Sequence, residues 1–343
     1  MLIGEIVIWL VIACSMNETY EERVVSTQVY NIQSKISDMG STDWSYPAST
    51  MVPVYVDESM EFQTAQQRFS AKDFSKTAEI LLAIIDADPK HIGAHSLLSA
   101  TFLNMGEYEK AQSAANTVLE IYPSALAHCN IAAVLLAANH HDSAQEHFKK
   151  ALLLDSKSFL ALRNLASLTH RSGELVQSEE YLRRLLRLEP NDSYIYVSLG
   201  QVVAEQGRLS EAEEIYRYRL QELEFVDDGT RRTDSGLTLE LPLALGEVLS
   251  RQEKWEESRR WFEQTIEWSS IYDASWTLPE MYAVQSMLRI AKTYTLQDMP
   301  DRAEIEVQRA EKVFYAIDKT NSRVDHLLET RHFVEERQRA LTK

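Results

Sequence analysis

The chain has 343 residues, a formal charge of −17, and only 10 glycines and 8 prolines. The scarcity of glycine and proline argues against a turn-rich β fold and favours long helices. The negative charge argues against nucleic-acid binding, because such a surface repels phosphates, and makes a basic or neutral protein the expected partner.

The amino-terminal part contains an unbroken apolar run, residues 6–13 (IVIWLVIA). It is too short for a membrane-spanning helix and has the length of the apolar core of a secretory signal. It ends in Val11-Ile12-Ala13-Cys14, which resembles the bacterial lipobox. The resemblance implies lipid attachment at Cys14 and an outer-membrane lipoprotein facing the periplasm. No lysine or arginine precedes the run, so an apolar tail on a cytoplasmic protein is the alternative interpretation.

Residues 15–57 have the composition of a tether. The stretch 41–50 is polar and turn-rich, and Pro47 and Pro53 disfavour helix. Within the tether, apolar residues at helical spacing predict a short amphipathic helix over residues 19–36.

From residue 58 onward the sequence repeats at a period of 33–34 residues. Corresponding positions carry a large apolar residue followed by a small one, then a turn residue, an alanine and a closing proline. The large–small pairs are Leu98-Ser99, Ile131-Ala132, Leu165-Ala166 and Leu199-Gly200; the turn glycines are Gly106, Gly173 and Gly207; the closing prolines are Pro123 and Pro190. Small residues allow two helices to approach closely, and a glycine with left-handed backbone ends the first helix of a pair.

This pattern resembles the tetratricopeptide repeat. The resemblance implies an all-α fold, a right-handed superhelix of helix pairs whose first helices line an inner groove and whose last repeat is covered by a capping helix. We predict an apolar segment at 1–14, a tether at 15–57, repeats one to five at 58–226, a loop at 227–238, degenerate repeats six and seven at 239–317, and a capping helix at 318–343. A single repeat cannot bury its apolar face, so stacking is required.

The sequence contains no pattern typical of a nucleophile elbow, a zinc protease, a phosphate-binding loop or a dinucleotide-binding turn. His140 and His141 are predicted to occupy the place of the turn glycine in repeat three, as solvated residues. Cys129 is predicted to be a packed small hydrophobe. We therefore expect no catalytic residue, no metal site and no cofactor.

Register with the tetratricopeptide family identifies the side chains that would face a ligand in the groove. These are Asn130, Arg163, Asn164, Ser167, Arg171, Tyr194, Ser198 and Gln201. In relatives, asparagines in this position bond a peptide backbone, since an amide both donates and accepts. In this register Arg163 and Arg171 would hold a ligand carboxylate, and Tyr194 would serve as an aromatic anchor.

The sequence thus predicts a non-catalytic scaffold that binds a peptide or helix of another protein, anchored to the membrane as a lipoprotein in envelope assembly. The alternatives are a soluble cytosolic adaptor of the same fold, or an accessory subunit of an enzyme such as a glycosyltransferase.

Overall fold

The structure, a computed structural model, describes residues 24–28, 51–55, 59–224, 237–271 and 279–317. The chain divides into two compact units, one comprising residues 1–36 and 45–184 and the other residues 37–44 and 185–343. Cys14, residues 227–236 of the predicted loop and the predicted capping helix lie outside the described residues, and residues 237–238 of that loop begin a helix.

Helices make up almost all of the described chain. In the order of the sequence they are α1 (Met60–Ser70), α2 (Phe74–Ala87), α3 (Ile92–Asn104), α4 (Tyr108–Ile121), α5 (Ala125–Ala137), α6 (His141–Leu154), α7 (Phe159–Arg171), α8 (Leu175–Leu188), α9 (Ser193–Glu205), α10 (Leu209–Glu224), α11 (Leu237–Arg251), α12 (Trp255–Ile271), α13 (Pro279–Leu296) and α14 (Pro300–Ile317). The expected all-α class is confirmed. None of these helices is both long and apolar enough to cross a membrane.

Two short strands precede the helices. β1 (Val24–Gln28) and β2 (Met51–Tyr55) pair in antiparallel register, with Val24 opposite Tyr55, and β2 packs against α3 and α5. The prediction of a helix over residues 19–36 is therefore wrong at its centre. β1 has the sequence VVSTQ, and its β-branched residues favour strand over helix.

The turn inside each helix pair contains a residue with left-handed backbone. The prediction for glycine is confirmed: φ is 75°, 80° and 84° at Gly106, Gly173 and Gly207. In repeat three the corresponding residue is Asn139, with φ 61°. The prediction that His140 and His141 replace the glycine is thus wrong by one residue, because asparagine tolerates this conformation. His140 is instead the N-cap of α6, and His141 is its first residue.

Helix starts are fixed by polar caps. Ser124 accepts a hydrogen bond from the amide of Ala127 at the start of α5, and Asp192 accepts one from Tyr194 at the start of α9. Such caps satisfy amides that have no partner within the helix. Because they fix where α5 and α9 begin, they also fix which side chains of these helices face inward.

The core of each unit lies between the two helices of a pair and between adjacent pairs. In the first unit, Ile131 and Leu135 on α5 pack with Phe148 on α6 and Leu165 on α7, all buried. In the second unit, Met287 and Leu288 on α13 pack with Phe314 on α14. The periodic large apolar residues of the sequence thus form a core that neighbouring repeats share.

A serine hydroxyl links the two helices of several pairs. Ser99 on α3 donates to the carbonyl of Ala111 on α4 at 2.8 Å. Ser178 on α8 donates to Ala166 on α7 at 2.8 Å, and Ser258 on α12 donates to Gly246 on α11 at 2.7 Å. In each pair the serine on one helix bonds the carbonyl of an alanine or glycine on the other helix. The bond therefore helps to hold the two helices in register.

Candidate protein-binding surface

The first helix of each pair carries the side chains predicted to face a ligand. Asn130, Asn164 and Ser198 occur at intervals of 34 residues, on α5, α7 and α9. Five of the eight predicted binding residues belong to the first unit. The other three, Tyr194, Ser198 and Gln201, belong to the second. The predicted residues therefore form two groups, one in each unit.

The two asparagines are buried, at 9% and 8% exposure for Asn130 and Asn164. The amide nitrogen of Asn164 donates to the carbonyl of Leu160 in its own helix at 2.8 Å. The amide oxygen of Asn130 is buried and accepts no hydrogen bond. A buried oxygen without a hydrogen bond is energetically costly, so Asn130 would gain from a ligand that donates to it. Asn164 already uses one of its two N–H donors within its own helix.

The polar residues of α7 that remain accessible lie on one face. Arg163 and Ser167 are half-buried and Arg171 is exposed. Four-residue spacing places these side chains one above another along the helix. Arg163 lies over the ring of Phe159, 5.7 Å from its centroid. α7 therefore presents two guanidinium groups and a hydroxyl in a line, while its opposite face is buried.

In the second unit, Tyr194 and Ser198 occupy consecutive turns of α9. Burial raises the pKa of Tyr194 strongly; the nearby hydroxyl of Ser198 lowers it and the charge of Glu240 raises it further. Gln201 donates to Glu205 on the next turn at 2.9 Å. Tyr194 is thus a neutral phenol held close to a carboxyl group.

Sequence reasoning missed two residues of this region, Glu240 on α11 and Tyr282 on α13. The hydroxyl of Tyr282 donates to one carboxyl oxygen of Glu240 at 2.8 Å. Burial raises the pKa of Glu240 to about 7, with the hydrogen bond from Tyr282 opposing the shift. A signal was present in the sequence: Glu240 precedes Leu245-Gly246 by the same five positions that separate Tyr194 from Leu199-Gly200.

Two histidines other than the turn residues His140 and His141 pack together. The Nδ1 atoms of His128 on α5 and His147 on α6 lie 3.1 Å apart. Burial and the charge of Lys150 lower the pKa of His128, and the same causes together with His128 lower that of His147. Among the described residues, no three histidine, cysteine or acidic side chains are grouped so that they could hold a metal ion. The pair is thus a hydrogen-bonded contact between helices.

Cys129 is 1% exposed, and burial raises the pKa of its thiol to about 12. A thiol with so high a pKa is a poor nucleophile at neutral pH. The expectation that Cys129 is a packed small hydrophobe agrees with this geometry.

Comparison with known proteins identifies the repeat. A family model described as tetratricopeptide repeat matches residues 135–199. This segment of the chain is a tetratricopeptide repeat.

Solved structures show the same fold over most of the chain. The C-terminal part of a tetratricopeptide-repeat protein from Cytophaga hutchinsonii is 14% identical, covers 78% of this chain and 98% of its own, and has a TM-score of 0.56. A tetratricopeptide-repeat protein from Parabacteroides merdae is also 14% identical, covers 79% and 96%, and has a TM-score of 0.53. A sequence comparison with curated proteins found no match. The likeness establishes the all-α tetratricopeptide solenoid as the fold, on which function is set by individual side chains.

Proposed function

We propose that this chain is a non-catalytic scaffold that binds a peptide or helical segment of another protein on the inner faces of its first helices. The observation that carries the proposal is the accessible polar line of α7, formed by Arg163, Ser167 and Arg171. The core positions of α7 are buried. A partner segment that contacts α7 would therefore meet the side chains of this polar line. Guanidinium groups in a line suit the carboxylate and carbonyl oxygens of a bound segment.

A site-specific cross-linking experiment tests the binding face. A photoreactive residue at position 167 in the full chain is expected to form adducts with a discrete protein in a lysate of the source cells. The Arg163→Ala/Arg171→Ala variant should lose these adducts. The matched control, Lys149→Ala/Lys150→Ala, removes two positive charges from exposed positions of α6 and should keep them. Equal yields from both double variants would show that α7 is not the binding face.

We further propose that the scaffold is attached to the outer membrane through lipid on Cys14, faces the periplasm, and serves envelope assembly. The support is the apolar run that ends at Cys14. The charge of −17 gives no electrostatic affinity for anionic lipid, so membrane association would depend on acyl chains.

Radiolabelled palmitate supplied to the source cells tests the anchor. Label should appear in the wild type, disappear in Cys14→Ser, and be retained in Cys129→Ser. A chain that stays unlabelled and fractionates with soluble proteins would support the cytoplasmic adaptor instead.

A further inference from the structure

A buried carboxyl group in the second unit has an unmet hydrogen-bonding requirement. Glu240 lies on α11, whose neighbours in the fold include α9 and α13. One carboxyl oxygen accepts from Tyr282, whereas the other, Oε2, is buried and has no donor. A buried carboxylate is stable only when its oxygens are paired. The raised pKa of Glu240 agrees with this shortage of donors.

The described residues around Glu240 are aromatic and include no compensating cation. Tyr282 touches the carboxyl, and Tyr194 lies close enough for its pKa to respond to the charge of Glu240. Among the described residues, only burial and Tyr282 shift the pKa of Glu240; no lysine or arginine contributes. On α13, Arg289 is paired with Glu247.

A carboxylate beside two phenol rings has the chemistry of a site for a cation. The carboxylate supplies the opposite charge, and aromatic faces attract a desolvated ammonium or guanidinium. Glu240 as a residue is half-buried but its Oε2 atom is buried, so a partner side chain must displace the atoms that cover this oxygen.

We propose that Glu240, with Tyr194 and Tyr282, binds the lysine or arginine side chain of a partner segment. The inference rests on the proposed scaffold function and adds the chemistry of the partner: a basic residue at the position that meets α11. The bound cation would pair with the free oxygen of Glu240 and so remove the cost of burying that oxygen. A strongly acidic chain would in this way select a basic segment by a specific contact as well as by its overall charge.

The test uses the full chain and two blocked peptides, acetyl-Gly-Arg-Gly-amide and the same peptide with citrulline in place of arginine. Citrulline has the shape of arginine without its charge. Carbon NMR of labelled glutamate side chains, with the Glu240 signal assigned from its loss in Glu240→Gln, gives the titration midpoint. The arginine peptide is expected to move that midpoint downward by about one pH unit, which corresponds to about tenfold preference for the ionised form. The citrulline peptide should leave it near 7.

Variants separate this site from a general charge effect. Glu240→Gln removes the charge while keeping the shape and is expected to weaken arginine-peptide binding about tenfold. Glu214→Gln, at an exposed position of α10 in the same unit, should bind as the wild type does. Equal affinity for the two peptides, or unchanged arginine binding by Glu240→Gln, would refute the cation site.

The outcomes also distinguish this site from the proposed function. Equal adduct yields from the two double variants, with retained arginine binding at Glu240, would count against the α7 face alone. Adducts that depend on Arg163 and Arg171, with no response of Glu240 to arginine, would count against the cation site alone.

Discussion

The ring of Tyr216 on α10 lies directly against Gly200 on α9, so that a Cβ built on Gly200 would stand 2.3 Å from Cε1 of the ring. Phe262 on α12 meets Gly246 on α11 in the same way, at 2.5 Å. The glycine at these two positions leaves room for the aromatic residue opposite, although in repeat three Ala132 stands opposite Phe148. In repeat four the corresponding residues are Ala166 and Leu182. There, alanine replaces the glycine and leucine replaces the aromatic residue.

Gly200→Ala is expected to lower the free energy of unfolding by about 2 kcal/mol, the usual cost of overpacking. Tyr216 cannot retreat easily, because it is 1% exposed and its hydroxyl donates to the carbonyl of Val197 at 3.3 Å. Urea unfolding followed by circular dichroism measures the loss. Gln201→Ala, on the same helix but half-buried, is the control and should change stability little.

A double-mutant cycle tests the cause. In a Tyr216→Leu background the alanine at position 200 should cost much less than it does in the wild type, because leucine leaves room for the methyl group. An equal cost in the two backgrounds would mean that the ring contact is not the reason for the glycine.

Ser178→Ala is expected to destabilise the first unit by about 1 kcal/mol. The change removes the hydroxyl that donates to Ala166 and leaves that carbonyl without this buried donor. Differential scanning calorimetry of the full chain should show a lower melting temperature. Ser113→Ala, at an exposed position of α4, provides the comparison, and a similar shift in both variants would show that the hydroxyl link contributes nothing specific.

Cys129 is expected to be unreactive in the folded chain. Because burial raises the pKa of its thiol to about 12, only a very small fraction is thiolate at pH 8. A Cys14→Ser chain should therefore react with a chromogenic disulfide reagent only when urea unfolds it, and the rate should follow unfolding. Rapid reaction without denaturant would contradict the packing of α5 against its neighbours.

The helical pairs were predictable because each repeat uses the same local physics. The left-handed turn at Gly173 and the shared apolar position of Ile131 both follow from residue type and spacing. The exact turn residue of repeat three was missed, because asparagine substitutes for glycine there. β1 was missed because its apolar residues also fit a helical period, and β-branching decides between the two.

The chemistry of the surface was harder to predict than the fold. Register placed Tyr194 and Ser198 on an inner helix, but it gave no indication that Glu240 would lie near them. That proximity depends on α11 and α13, whose repeats are degenerate and separated from the others by insertions. The contact of His128 with His147 likewise joins residues 19 positions apart on two helices, where neither residue has a distinguishing sequence context.

The contact of His128 with His147 should reduce stability as pH decreases below about 6.5, whereas Glu240, whose pKa burial raises to about 7, contributes in the opposite direction between about 7 and 4.5. Burial and Lys150 lower the pKa of both rings from the ordinary value of 6.5, with Glu146 opposing this for His147. At these rings the unfolded chain therefore binds more protons than the folded chain as pH falls through 6.5, so protons bound there favour unfolding. Above that range both states are neutral at these rings, and the contribution becomes independent of pH.

Relative to the wild type, His147→Gln should gain in urea midpoint as pH falls from about 7 to 5, because the contribution of this histidine to the loss of stability is removed. One lost proton corresponds to at most about 1.4 kcal/mol per pH unit of slope. His140→Gln, at the exposed N-cap of α6, should keep the wild-type slope. If the two variants gave the same profile, the contact between His128 and His147 would not be the group that senses pH, because only His147 is buried against a second ring.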